Sequence, residues 1–179
     1  MKQTAKTFAE QAHKGQTRKS SGTPYITHPI RVAHQLEKAG FNEALVCAGF
    51  LHDVVEDTPY EIDDIKEKFG SRVATLVAAH TEDKSKTWPE RKQHTIETVT
   101  YAEKEAKYLI VADKLDNLLS LEKEIKRQGD KLWDHFNAGF EQQKWYHQSI
   151  AANMFYGLAE DEIPDYFQTF ADTVKRVFG

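Results

Sequence analysis

Three carboxylates and an imidazole crowd one turn of this sequence. In FLHDVVEDT, Asp53 lies three residues from Glu56 and four from Asp57, and Glu56 lies four from His52. On an α-helix those intervals make side chains neighbours, and each like-charge pair costs about 0.2–0.5 kcal/mol even in water. The turn also ends the helical pattern that runs from Phe41 to Asp57, where the helix dipole disfavours negative charge. Either the turn faces solvent and the repulsion is small, or a cation compensates. A second anomaly favours the cation. Asp113, in YLIVADKLDNLLSL, follows five almost wholly apolar residues and precedes Leu115, Leu118 and Leu119. A carboxylate so placed is partly buried and requires a partner. An Arg or Lys from another helix would serve. So would a metal ion held jointly by Asp113, Asp53 and one or more histidines, a donor set suited to manganese, iron or zinc. Adjacent His52 and Asp53 project about 100° apart on a helix, so both reach one ion only if it lies between those directions.

The elements that must bring these residues together read as helices. No convincing period-two run occurs, and apolar residues recur at steps of three and four. Phe41 to Asp57 reads as one helix, with Asn42 as its N-cap and Thr58-Pro59 as its stop. Tyr60 to Phe69 is a second, closed by Gly70, and Ser71 opens a third through RVATLVAAHT. Lys107 to Leu121 is the most apolar. Asp130 to Leu158 carries a long aromatic-rich pattern, and Asp161 to Phe178 ends with Phe167, Phe170, Val174 and Phe178 in helical register. Two polar stretches, His13 to His28 and Thr81 to Gln93, read as connectors placed to carry binding residues. The expected fold is an all-α globular bundle of unequal helices, one domain over residues 1–179.

Composition bounds the function. Lys and Arg total 24 and Asp and Glu 28, a formal charge of −4 that argues against a non-specific DNA, RNA or membrane-surface binder. One cysteine, Cys47, permits no internal disulfide, and no stretch has the length of a membrane span or the apolar core of a signal peptide. A cytoplasmic location is expected. His13, His34, His80, His94, His135 and His147 have no partner at a metal-binding interval and read as surface or hydrogen-bonded histidines. The aromatic run from Trp133 to Phe155 reads as packing, with a base-stacking ring as the alternative.

Four segments in order, AHKGQTRKSSGTPYITHP, FLHDVVEDT, FGSRVATLV and VADKLDNL, resemble the hydrolase domain of the RelA/SpoT-type alarmone enzymes, members of the HD-domain metal phosphohydrolases. The small stand-alone hydrolases of that group are the nearest match. The resemblance covers about Ala9 to Leu121, leaving the helices of 130–178 to complete the bundle. It implies one divalent ion, usually manganese, held by His28, His52, Asp53 and Asp113. It implies that Glu56 and Asp57 position and activate the attacking water, that Arg18 and Lys19 meet the nucleotide, and that Tyr25 and Asn117 line the pocket. Arg91 and Lys92 are weaker matches to phosphate-binding charge. The C-terminal DHFNAGFEQQKWYHQ offers Phe136, Phe140 and Tyr146 where a basic residue and a tyrosine would be expected.

The implied reaction is hydrolysis of the 3′-diphosphate of ppGpp or pppGpp, leaving GDP or GTP and releasing pyrophosphate, with no synthesis of the nucleotide. The residue types suit it. A metal with Arg and Lys brings a phosphate anion near clustered carboxylates and acidifies water, whose proton Glu56 or Asp57 can take. Two alternatives stand beside it: an HD-type phosphatase for another nucleotide, either a nucleoside monophosphate or a 2′- or 3′-phosphorylated one, and a non-catalytic nucleotide sensor. The sequence leaves oligomeric state, native metal and regulation open.

Overall fold

A computed structural model describes residues 1–179. Its helices run α1 (Lys2–Ala12), α2 (Thr27–Lys38), α3 (Glu43–Leu51), α4 (Val54–Asp57), α5 (Ile62–Phe69), α6 (Ser71–His80), α7 (Trp88–Tyr101), α8 (Lys104–Gln128), α9 (Phe140–Asn153) and α10 (Asp165–Phe178). Two 3-10 turns, Gly129–His135 and Glu160–Glu162, flank α9, and the one β-type pairing joins Thr17 to Pro24. The all-α expectation holds. No helix is long and apolar enough to cross a membrane.

One connected core contains 37 buried apolar residues drawn from the whole length of the chain. Helix α8 runs through it, packed against α2, α3, α6, α7 and α10. Every residue of α3 from Leu45 to Leu51, Cys47 included, is buried, so this helix has no polar face and is enclosed by its neighbours. Asn42 caps it as expected, its Oδ1 accepting the Leu45 N–H at 3.0 Å. Phe167, Phe170, Val174 and Phe178 all lie on the buried face of α10.

Several boundaries differ from the periodicity, each for a local reason. The helix expected over Phe41 to Asp57 breaks at His52-Asp53 into α3 and α4. His52 donates its Nδ1–H to the Gly49 carbonyl at 2.7 Å, the acceptor that helical continuation would give to the Asp53 N–H. Asp53 then sits at φ −100°, ψ −2°, outside regular helix. The Asp130 to Leu158 pattern is likewise two pieces. Gly129, at φ +63°, ends α8, and the chain makes a 3-10 turn before α9 begins after Gly139. Thr81 to Gln93 is irregular only as far as Thr87, which caps α7 in a capping box with Glu90.

Gly49 controls how closely α3 approaches α2. A Cβ there would stand 2.9 Å from the Ala33 Cα and 2.9 Å from Leu36 Cδ1. Because the Ala33 atom is backbone, only a helix shift relieves the clash. Gly49→Ala is therefore expected to cost about 1–3 kcal/mol of stability. Urea unfolding measures it, and a cost below about 0.5 kcal/mol would show the helices free to part.

Candidate metal centre and substrate cleft

Two helices and the break between two others converge on one point. His28 comes from the first turn of α2, His52 and Asp53 from the α3–α4 break, and Asp113 from the middle of α8. All four are buried. His28 Nε2 lies 2.9 Å from Asp113 Oδ1, 3.2 Å from His52 Nε2 and 3.6 Å from Asp53 Oδ2. His52 Nε2 lies 3.0 Å from Asp53 Oδ2 and 3.5 Å from Asp113 Oδ1. Donor atoms about 2.1 Å from a shared ion sit about 3.0 Å apart at right angles and about 3.4 Å apart in a tetrahedron. The observed spacings have that scale. Adjacent His52 and Asp53 thus reach one point, with both residues in the α3–α4 break.

The other ring nitrogens decide what these atoms are. His28 Nδ1 is 2.6 Å from Asp116 Oδ2 and His52 Nδ1 is 2.7 Å from the Gly49 carbonyl, so each Nδ1 carries the hydrogen and each Nε2 presents a lone pair. Four acceptors thus face one another in a buried space, which is stable only around positive charge. Burial pushes the His52 imidazole down, but the Asp53 and Asp113 carboxylates outweigh that and raise it well above its ordinary value. A divalent ion fits the same donor set.

A surrounding layer holds these groups in place, and much of it is absent from the sequence reading. Tyr25 donates its hydroxyl to Asp53 Oδ2 at 2.6 Å, and Asn117 donates Nδ2–H to Asp113 Oδ1 at 3.0 Å. These two residues therefore touch candidate ligands as well as lining the cleft. Asp113 Oδ2 is held by His80 Nε2 at 2.7 Å and by Lys114 Nζ at 2.8 Å. Spacing alone leaves His80 without a role, yet its buried ring bonds a candidate ligand, and the lysine partner of Asp113 is not from another helix, as expected if no metal were present, but its own neighbour on α8, Lys114. Both kinds of partner meet at one carboxylate. Asp116 could have been found as an acidic residue one turn beyond Asp113. His80 and Lys114 carry no comparable signal.

Glu56 and Asp57 share one side of the centre, their carboxylate oxygens within 4.8 Å of one another and of Asp53. Glu56 Oε1 accepts the Glu82 N–H at 2.7 Å, leaving Oε2 uncommitted, and burial pushes the Glu56 carboxyl above its usual range. Asp57 Oδ1 accepts from Lys84 Nζ at 2.9 Å. From here a cleft of about 970 Å³ opens, lined among others by Arg18, Lys19, Lys92, Lys114 and Tyr146. Arg18 reaches Asn117 Oδ1 at 3.0 Å, tying the basic pair to the Asp113 helix, and Lys19 is exposed on the cleft wall. Lys92 and Arg91 both pair with Glu82, at 2.6 and 3.2 Å, and of the two only Lys92 reaches the cleft. Phe136 and Tyr146 line the far wall, whereas Phe140 packs with Trp133 and Phe178.

Comparison with known proteins places this arrangement. Residues 5–139 match a family model described as an HD domain, three quarters of the chain and all four converging residues. The chain belongs to the HD-domain family. Within that family it is 39% identical over 178 residues to the guanosine-3′,5′-bis(diphosphate) 3′-pyrophosphohydrolase MESH1 of Xenopus tropicalis, covering 98% of this chain and 83% of that protein. It is 36% identical to a GTP pyrophosphokinase of Streptomyces coelicolor over 87% of this chain and 20% of that protein. The mouse MESH1 is 43% identical over 64% of this chain and 65% of its own length. The chain thus spans from a fifth to about two thirds of the lengths of these latter two relatives. A crystal structure of lmo0812 from Listeria monocytogenes EGD-e superposes with a TM-score of 0.81 at 51% identity, covering 84% of this HD chain and 98% of that one. A metazoan ortholog of SpoT, described as hydrolysing ppGpp, superposes at 0.77 with 29% identity, covering 98% and 93%.

The far wall of this HD cleft carries a pH-dependent element of stability. His147 is buried, 5.2 Å from the Phe178 ring and nearly parallel to it, and burial lowers its imidazole from 6.5 to about 4. The folded state therefore favours neutral His147. Its contribution is complete above about pH 6.5, where the unfolded chain is also neutral, and is lost as the pH falls toward 4. The loss is expected to reach about 3 kcal/mol. His147→Phe, which keeps the ring and cannot titrate, should flatten the difference between urea unfolding at pH 7 and at pH 4. An equal acid loss in both proteins would assign it elsewhere.

Proposed function

We propose that the chain is a metal-dependent hydrolase that removes the 3′-diphosphate of ppGpp or pppGpp, leaving GDP or GTP respectively and releasing pyrophosphate. One observation carries the reading: four buried acceptor atoms, from His28, His52, Asp53 and Asp113, point at one another with both Nδ1 hydrogens committed elsewhere. The cationic cleft beside them and the names of the relatives support the substrate class. The chemistry that a divalent ion, manganese in our reading, supplies there is acidification of water and neutralisation of phosphoryl oxygens.

The chain's own residues do the rest. Glu56 takes the proton of the attacking water at Oε2, the oxygen left free by the Glu82 bond, and its raised proton affinity makes it a better base than an ordinary carboxylate. Asp57, anchored by Lys84, orients that water. Arg18 and Lys19 receive the nucleotide, with Tyr25 and Asn117 fixing the carboxylates beside it. We read residues 1–179 as one unit acting in the cytoplasm, in keeping with a single, buried and unpaired Cys47.

Purified protein with Mn2+ and ppGpp is expected to release pyrophosphate and GDP, and chelation to stop it. Turnover of other nucleotides with ppGpp untouched would replace the substrate assignment with the HD phosphatase alternative. Tight nucleotide binding without product under any divalent ion would make the chain a sensor.

A further inference from the structure

His28 and Asp113 face each other across α2 and α8, and so do the residues one turn further along each helix. Arg31, three after His28, meets Asp116, three after Asp113. Arg31 Nε donates to Asp116 Oδ1 at 2.7 Å and Nη2 to Oδ2 at 3.1 Å, a two-point grip on one carboxylate. The same Oδ2 accepts the His28 Nδ1–H at 2.6 Å. We propose that Asp116, gripped by Arg31, is a positioning residue that fixes the His28 tautomer and strengthens His28 Nε2 as a ligand for the ion. The proposal rests on the metal reading above.

The two rings of the centre are backed differently. His52 Nδ1 donates to a neutral backbone carbonyl, and His28 Nδ1 donates to a carboxylate. A charged acceptor draws the Nδ1 hydrogen more strongly, so electron density at Nε2 rises in His28 more than in His52. A surface ion pair with Arg31 does not by itself account for Asp116. Arg31 is 48% exposed and Asp116 only 13%, and a pair so open on one side contributes little. The carboxylate is turned inward, toward the ring, and the guanidinium keeps it there. Asp116 hydrogen-bonds to no other candidate ligand, so its effect on the centre passes through His28.

The test is Mn2+ affinity of the metal-free protein, read by electron paramagnetic resonance of free Mn2+, beside its melting temperature. Asp116→Asn keeps an acceptor and removes the charge, and is expected to weaken Mn2+ binding about tenfold to a hundredfold. Arg31→Gln should weaken it about threefold. The double variant should bind no more weakly than Asp116→Asn alone, because Arg31 acts only through that carboxylate. A purely structural role would lower the melting temperature and leave the affinity of the folded protein unchanged. Wild-type affinity in Asp116→Asn overturns the inference and leaves the metal reading standing, provided His28→Ala loses Mn2+. Failure of the wild type to bind Mn2+ overturns both. Should Asp116→Asn not fold, Arg31→Gln decides, and an unchanged affinity there counts against the proposal.

Discussion

Asp113→Ala is expected to abolish turnover and, separately, to lower the stability of the metal-free protein by about 3 kcal/mol. The first effect follows from losing a ligand atom that lies 2.9 Å from one imidazole nitrogen and 3.5 Å from another. The second is less obvious. Four acceptors crowded together destabilise a fold, and removing one would relieve it if that were all Asp113 did. Its carboxylate also neutralises Lys114, whose side chain is 13% exposed and 2.8 Å from Oδ2, with no other carboxylate oxygen within 4.0 Å. Burial pushes that ammonium down, and Asp113 leads the groups that hold it well above its ordinary value. Taking the carboxylate away leaves that charge without its partner on the half-buried wall of the cleft, and breaking such a pair from one side is the costly way to break it. Asp113→Ala/Lys114→Met should therefore regain most of the lost stability in urea unfolding while Mn2+ binding stays lost. A double variant no more stable than the single one would mean that Lys114 finds water, and that the cost has another origin.

Glu56→Gln is expected to lower kcat by about a hundredfold to ten-thousandfold while leaving KM and Mn2+ affinity close to wild type. Glutamine keeps the oxygen that accepts the Glu82 N–H, so the turn and the cleft wall stay in place. What it loses is the free oxygen that can hold a proton. The wild-type pH profile should carry the same signature. Burial raises the Glu56 carboxyl, so its acid limb falls at a pH above that of an ordinary glutamate, with activity rising as the group ionises. That limb should disappear from the residual activity of the glutamine variant. A variant with near-normal kcat would transfer the base role to Asp57, for which Asp57→Asn is the matching measurement.

The fold class was legible because helix formation is written locally. Apolar steps of three and four, the Asn42 cap and the Gly70 stop all act within one or two turns, and each appears where it was read. Boundaries failed where a side chain competes with the backbone. His52 takes the Gly49 carbonyl and breaks a helix that periodicity alone would continue. The Asp130 to Leu158 pattern failed because aromatic spacing persists through a turn that Gly129 and Gly139 open.

Charge in an unsuitable place was the strongest signal in the chain. The amino-acid order determined that Asp113 sits among apolar neighbours and that three carboxylates share one turn with His52, and those facts favoured a compensating cation over a solvent-facing turn before any geometry was known. Tertiary structure decided where the charge goes and what shapes it. Asp116 reaches His28 across 88 positions of sequence, and His80 reaches Asp113 across 33. No interval of three or four links such residues, because they meet only when α2, α6 and α8 pack around a common core. Local propensity specifies each helix, but which helix faces meet is a property of the whole buried volume.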